Sequence, residues 1–170
     1  MKNAILIFSL FISSVTIGQQ LTVKSAFLEK WGNSRNYLLE VAEAMPEESF
    51  DFKPTERQMS FKEQLIHIKG NMDWLSTSYF TDNEFEKGVS EIPVTKAETI
   101  EVLTNAFDAV SEIISITSEA ELNEIVDFFS GPKSKLQILS LLQDHVTHHR
   151  GQLIVYLNLN GINPPNYVGW

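Results

Sequence analysis

From about Ser134 to Leu159 the chain carries one continuous helical stripe. At 100° per residue, Ile138, Leu141, Leu142, His145, His149, Gln152, Leu153 and Tyr156 fall within an arc of about 120°. A helix of that reach, roughly 39 Å long, hides such a stripe only by packing against other long helices. The expectation is therefore a helical bundle, and the rest of the chain supplies the partners.

Three earlier segments share the period. From Leu21 to about Ala44, Phe27, Trp31, Leu38, Val41 and Met45 keep helical spacing, and Pro46 ends the run. Ser60-Phe61-Lys62-Glu63 has the form of a capping box and opens a helix to about Tyr79 or Phe80. Thr95-Lys96-Ala97-Glu98 is a second box, followed by Ile100, Leu103, Phe107, Val110 and Ile114 up to about Ile116. Between helices, Glu47 to Thr55 reads as an ordered loop packed by Phe50 and Phe52, and Ile125 to Phe129 as a short extended piece. Gly131-Pro132 precedes the last helix, Lys133-Ser134-Lys135 reads as its solvated start, and Gly161 with Pro164-Pro165 supplies its stop. The fold class is all-α, a four-helix bundle whose connections are long enough that the order need not be simple up-down.

A chain of 170 residues, 43% of them hydrophobic, is one domain's worth, and no linker or repeat divides it. The first residues stand apart. Lys2 gives a positive start, Ala4 to Val15 is almost wholly apolar, and Thr16-Ile17-Gly18 offers small residues for cleavage. The expected organisation is a secretory signal at residues 1–19, cleaved after Gly18 or Gln19, and a bundle at residues 20–170. The apolar run is too short to span roughly 30 Å of hydrocarbon comfortably, so the mature chain is expected to be exported and free of the membrane. There is no cysteine, hence no disulfide and no lipid-bearing Cys at the cleavage point. Loss of Lys2 leaves 12 basic against 22 acidic residues, a formal charge of −10. That balance, with dispersed basic residues, excludes nucleic acid as an expected partner.

Three of the four histidines lie within five residues, in Asp144-His145-Val146-Thr147-His148-His149. Imidazoles at i and i+4 project from one side of a helix, so His145 and His149 can hold one ion together. His148 points about 60° away and is left out of the set. On the second helix the stripe Gln64, His67, Asn71, Trp74 and Ser78 brings His67 among polar groups, with Gly70 beside it where another backbone is expected to approach. Both histidine faces are expected to look into the bundle. There Gln64 and Asn71 have three roles open to them: contacting a substrate, fixing an imidazole, or bonding each other. Three neutral imidazoles with an open position suit Zn²⁺, Ni²⁺ or another late first-row ion. Read alone, His67 is more often a satisfied core histidine than a ligand, and the His145/His149 pair is as readily an accident of spacing.

The stretch His145-x-x-x-His149-Arg150-Gly151-Gln152-Leu153, continuing through Tyr156-Leu157 to Gly161-Ile162 and Pro164-Pro165, resembles the last helix of the DinB/YfiT-like family. So do Met45-Pro46-Glu47, Phe52-Lys53-Pro54-Thr55 and Ser60-Phe61-x-Glu63-x-Leu65-x-His67-Ile68. The resemblance implies a bundle of up-down-down-up order and a divalent metal held by His67, His145 and His149. It also implies a thiol-dependent transferase or a metal-dependent hydrolase acting on a small molecule that the sequence does not identify. Low-molecular-weight thiols are cytosolic, so an export signal weighs against the transferase. Candidate proton acceptors are Glu63 and Asp144, neither well placed, and no catalytic base is assigned. The competing reading is a non-catalytic bundle. It would either bind metal, with Gln152 or Asn71 as a fourth ligand, or dock a partner through Phe50, Phe52, Trp74 and Tyr167 to Trp170. A homodimer through an exposed helix face is compatible with the sequence, but no pattern marks the face.

Overall fold

The computed structural model describes residues 22–88 and 93–170. The expected signal at 1–19 lies outside them. Four helices dominate: α1 (Val23–Ala44), α2 (Phe61–Phe80), α3 (Lys96–Ile116) and α4 (Lys135–Leu159). Two short 3-10 turns, Glu47–Ser49 and Glu121–Asn123, and a two-residue antiparallel pair, β1 (Ile125–Val126) with β2 (Lys133–Ser134), fill the connections. No helix among the described residues is long and apolar enough to cross a membrane.

The helices begin where side chains can satisfy their free N–H groups. Both expected capping boxes form, Ser60 with Glu63 and Thr95 with Glu98, and a third joins Ser134 to Gln137 at α4. That third box displaces the expected start of α4. Ser134 caps the helix instead of entering it, and Lys133 belongs to β2. At the far end, Gly161 adopts φ +71°, and Gly161 N–H and Ile162 N–H donate to the Asn158 and Leu157 carbonyls. Such a stop favours glycine because a Cβ is disfavoured at positive φ.

Contacts between elements give the order of the bundle. Lys24 Nζ donates to the Thr117 carbonyl, Arg35 pairs with Asp108, and Lys96 Nζ donates to the Met45 carbonyl, so α1 and α3 are antiparallel. Gln64 meets Gln152 and His67 meets His145, so α2 and α4 are antiparallel. Gln143 reaches Ser34, and Arg150 stacks over Tyr37, so α1 and α4 run parallel. It follows that α2 and α3 are also parallel. The order is up-down-down-up, with the helices packed in a ring α1, α3, α2, α4. Residues 81–95 are long enough for the return this requires, since about 30 Å of helix needs only ten or so extended residues.

Trp31, Leu38, Phe61, Leu65, Leu103, Phe107 and Tyr156 are among the large side chains buried in the common core. The loop after α1 packs through its aromatics, as expected: Phe50 lies against Phe61 and Phe52 meets Tyr156 edge-on. Phe61 N–H and Lys62 N–H donate to the Phe52 and Phe50 carbonyls, while Tyr156 Oη donates to Met59 O. The loop thus ties the start of α2 to α4 and fixes the register of the facing histidines.

Two expectations about faces need correction. The buried arc of α4 is wider than the stripe and rotated, taking in Leu139, Val146, Arg150 and Leu157, while Leu141, His145 and Gln152 are only half-buried. Each helix of the ring touches two neighbours, so its buried arc centres between them. By the same logic α2 buries Leu65, Ile68, Met72 and Leu75 and leaves His67 and Ser78 exposed. Nor does any backbone approach Gly70, where an added Cβ would meet nothing within 4 Å.

Candidate metal centre

The three expected ligand residues do come together, at the rim of the α2/α4 seam. One nitrogen each of His67, His145 and His149 lies within 4.8 Å of the others, with His67 exposed, His145 half-buried and His149 buried. The ring centroids are 4.9 Å apart for His67 and His145, 4.6 Å for His67 and His149, and 4.4 Å for His145 and His149. His145 Nε2 stands 3.1 Å from His67 Nε2. Two nitrogens on one tetrahedral ion, with bonds of about 2.0–2.1 Å, stand about 3.3 Å apart. The donor set and the His67–His145 spacing therefore suit a single divalent ion, with the third nitrogen within 4.8 Å of the other two.

A chain of amides sets the tautomer of His149. Gln64 Nε2 donates to Gln152 Oε1 at 2.7 Å, which turns Gln64 Oε1 towards His149 Nδ1 at 2.6 Å. His149 must then donate from Nδ1, leaving the Nε2 lone pair for a ligand. Gln152 Nε2 lies 3.1 Å from His148 Nε2, so the network ends at the exposed fourth histidine. Of the roles open to Gln64, fixing an imidazole is the one realised. Gln152, a stripe residue and in the competing reading one choice of fourth ligand, has its oxygen held on the Nδ1 side of His149. The i−3 and i+3 spacings of Gln64 to His67 and of Gln152 to His149 signalled shared faces, though not this pairing.

On the facing helices, His145 Nδ1 of α4 and Asn71 Oδ1 of α2, one turn beyond His67, are buried without a hydrogen-bond partner. Burial holds the pKa of His67, His145 and His149 below the ordinary imidazole value, and mutual repulsion adds to the effect at His145 and His149; His145 falls to about 4. The rings are thus neutral at neutral pH, the form that binds metal.

The candidate bases are not in the site. Glu63 accepts from Ser60 N–H and pairs with Lys53 at 2.9 Å, contacts that hold its pKa down. Asp144 is exposed, and no carboxylate among the described residues joins the cluster. A depression of about 260 Å³ bounded by Lys62, Glu63, Ile66 and His67 opens beside the exposed His67 ring. A larger groove of about 360 Å³ between α1 and α4, lined by Phe27, Lys30, Leu139 and Trp170, does not include the histidines. The aromatics considered for docking divide: Phe50 is core, Phe52 and Trp74 are half-buried, and Tyr167 and Trp170 are exposed.

Comparison with known proteins gives the family and agrees with the fold. The family model described as "DinB family" matches residues 18–169. YjoA of Bacillus subtilis (strain 168) is 27% identical over 135 residues, covering 75% of this chain and 84% of that protein. Among solved structures, a DinB-like protein from Bacillus cereus ATCC 10987 superposes with a TM-score of 0.73 at 21% identity, over 84% of this chain and 95% of the other. YfiT from Bacillus subtilis is described as "a probable metal-dependent hydrolase with an unusual four-helix bundle topology". It superposes with a TM-score of 0.62 at 12% identity, over 85% of this chain and 92% of the other.

Proposed function

This chain belongs to the DinB family, and from that premise we propose that it is a metal-dependent hydrolase holding one divalent ion, zinc or nickel, through Nε2 of His67, His145 and His149. The observation that carries the reading is the 3.1 Å approach of His67 Nε2 and His145 Nε2, next to a His149 whose Nδ1–H is already committed to Gln64. The description of YfiT as a metal-dependent hydrolase supports the choice of reaction.

Bound there, the ion would supply Lewis acidity and lower the pKa of adjacent water towards neutrality. The protein's own contribution is positional. Gln64 locks His149 in one tautomer, and three neutral ligands leave the ion's charge undiminished. The exposure of His67 keeps one side open to a small substrate, which would approach over the depression at Lys62 and Ile66. With Glu63 tied to Lys53, no carboxylate among the described residues stands beside the three histidines to take up a proton.

The test is hydrolysis of activated esters, phosphoesters and amides by zinc- and nickel-loaded protein. The reading expects turnover that disappears with chelator and falls at least 100-fold in His149→Ala. Turnover unaffected by chelator across the panel would refute it. The absence of a carboxylate from the cluster favours one second reading, a metal-binding bundle without catalysis, which expects stoichiometric metal and no turnover.

A further inference from the structure

We propose that Asn71 is the positioning residue of His145, its side-chain oxygen accepting the Nδ1–H of that ring when metal binds, as Gln64 already does for His149. The inference rests on the three-histidine reading and deepens it. A His145 that ligates through the Nε2 facing His67 must carry its proton on Nδ1, and that atom is buried with no acceptor. A buried donor left unpaired is rare in folded proteins, and at a metal ligand it leaves the ring free to rotate away from the ion. The complementary group exists: Asn71 Oδ1 is buried with no donor.

Helix register relates the two. With α2 and α4 antiparallel, Gln64 is level with Gln152 and His149, and His67 with His145 and His149. Asn71, one turn beyond His67, comes level with the turn of α4 that precedes His149, which is the turn of His145. Gln64 and Asn71 thus flank His67 on one face of α2, as His149 and His145 occupy one face of α4. Gln143 also has a buried oxygen without a partner, but its Nε2 is bonded to Ser34 on α1, on the other side of α4. The chemistry is also consistent between the two partners. Both are carboxamides, which orient an imidazole without adding charge to the ligand set.

Zinc affinity, measured by competition with a chromophoric chelator, and proton spectra of the cobalt-loaded protein test this together. The parent is expected to bind one ion and to show two exchangeable, metal-shifted imidazole N–H resonances protected from solvent. Asn71→Leu is expected to weaken zinc binding about 10–100-fold and to lose one of the two resonances, with metal-free helical circular dichroism unchanged. Asn71→Asp keeps an acceptor and is expected to retain both the affinity and the resonance, which also covers the case of a leucine variant that fails to fold. Parent-like affinity with both resonances in Asn71→Leu would overturn the assignment while leaving the metal site standing. Equal losses in the leucine and aspartate variants would likewise overturn it, by showing a packing role. Failure of the parent to bind zinc or cobalt would refute the metal reading itself.

Discussion

His145 departs furthest from ordinary imidazole behaviour: burial first, then His149, His67 and His148, hold its pKa at about 4. The unfolded chain would protonate the same ring near 6.5. Between those values the unfolded state binds more protons, so the metal-free protein loses stability as pH falls from about 6.5 towards 4, with no further loss from this group below. His67 and His149 are shifted in the same direction and act with the same sign. The same shifts govern metal binding. Zinc affinity is expected to stay level as pH falls from 8 to about 6.5 and to weaken only below that, where unperturbed imidazoles would already be losing metal. Competition titrations across that range, paired with thermal melts of the metal-free protein, check both halves. A melt that is flat or rises between pH 6.5 and 5 would contradict the burial argument. At this scale the sequence brought forward the three histidines that the fold gathers, His145 and His149 by their i, i+4 spacing and His67 by its place among polar groups on α2. It could not show that Gln64 pairs with His149, since that contact depends on how far α2 slides along α4.

Helix starts were the most legible elements. Ser60 and Thr95, each with a glutamate three residues on, fix the start of α2 and α3 as read from the sequence. The equivalent Ser134/Gln137 box was there to be read at α4 and corrects its boundary by one residue. Burial was less legible, because a stripe on a helix wheel assumes one partner and each helix here has two. The Ser60 cap tests the link between element and site. Ser60 Oγ accepts from Glu63 N–H at 3.1 Å, one residue before Gln64. Ser60→Ala is expected to lower stability by about 1 kcal/mol, a fall in Tm of about 2–4 °C. Zinc affinity should change little, since Gln64 is also held by Gln152 and Tyr156. Calorimetry of parent and variant reads the first effect, and a variant as stable as the parent would mean that the loop at Phe50 and Phe52 alone holds the start of α2.

The up-down-down-up order decides what kind of site the whole molecule can make. In a simple up-down bundle α2 and α4 would be diagonal and parallel, and their histidines would face each other only across the core. Here they are antiparallel neighbours, so His67 meets His145 and His149 at a seam open to solvent. That is the physical reason His67 and His145 lie towards the rim, with His149 alone of the three buried as the apolar stripes suggested. The long connections made a non-sequential order admissible and the family resemblance implied up-down-down-up, which contacts such as Lys24 with Thr117 and Tyr37 with Arg150 bear out. The histidines contribute little to holding the helices together, as the apolar core does that without them. Elemental analysis of untagged protein beside its His67→Ala variant therefore tests the central claim directly. About one zinc or nickel ion per parent chain is predicted, with little metal in the variant and equal metal-free helicity in both. Equal metal in the two proteins, or none in either after incubation with zinc and nickel, would contradict the three-histidine site.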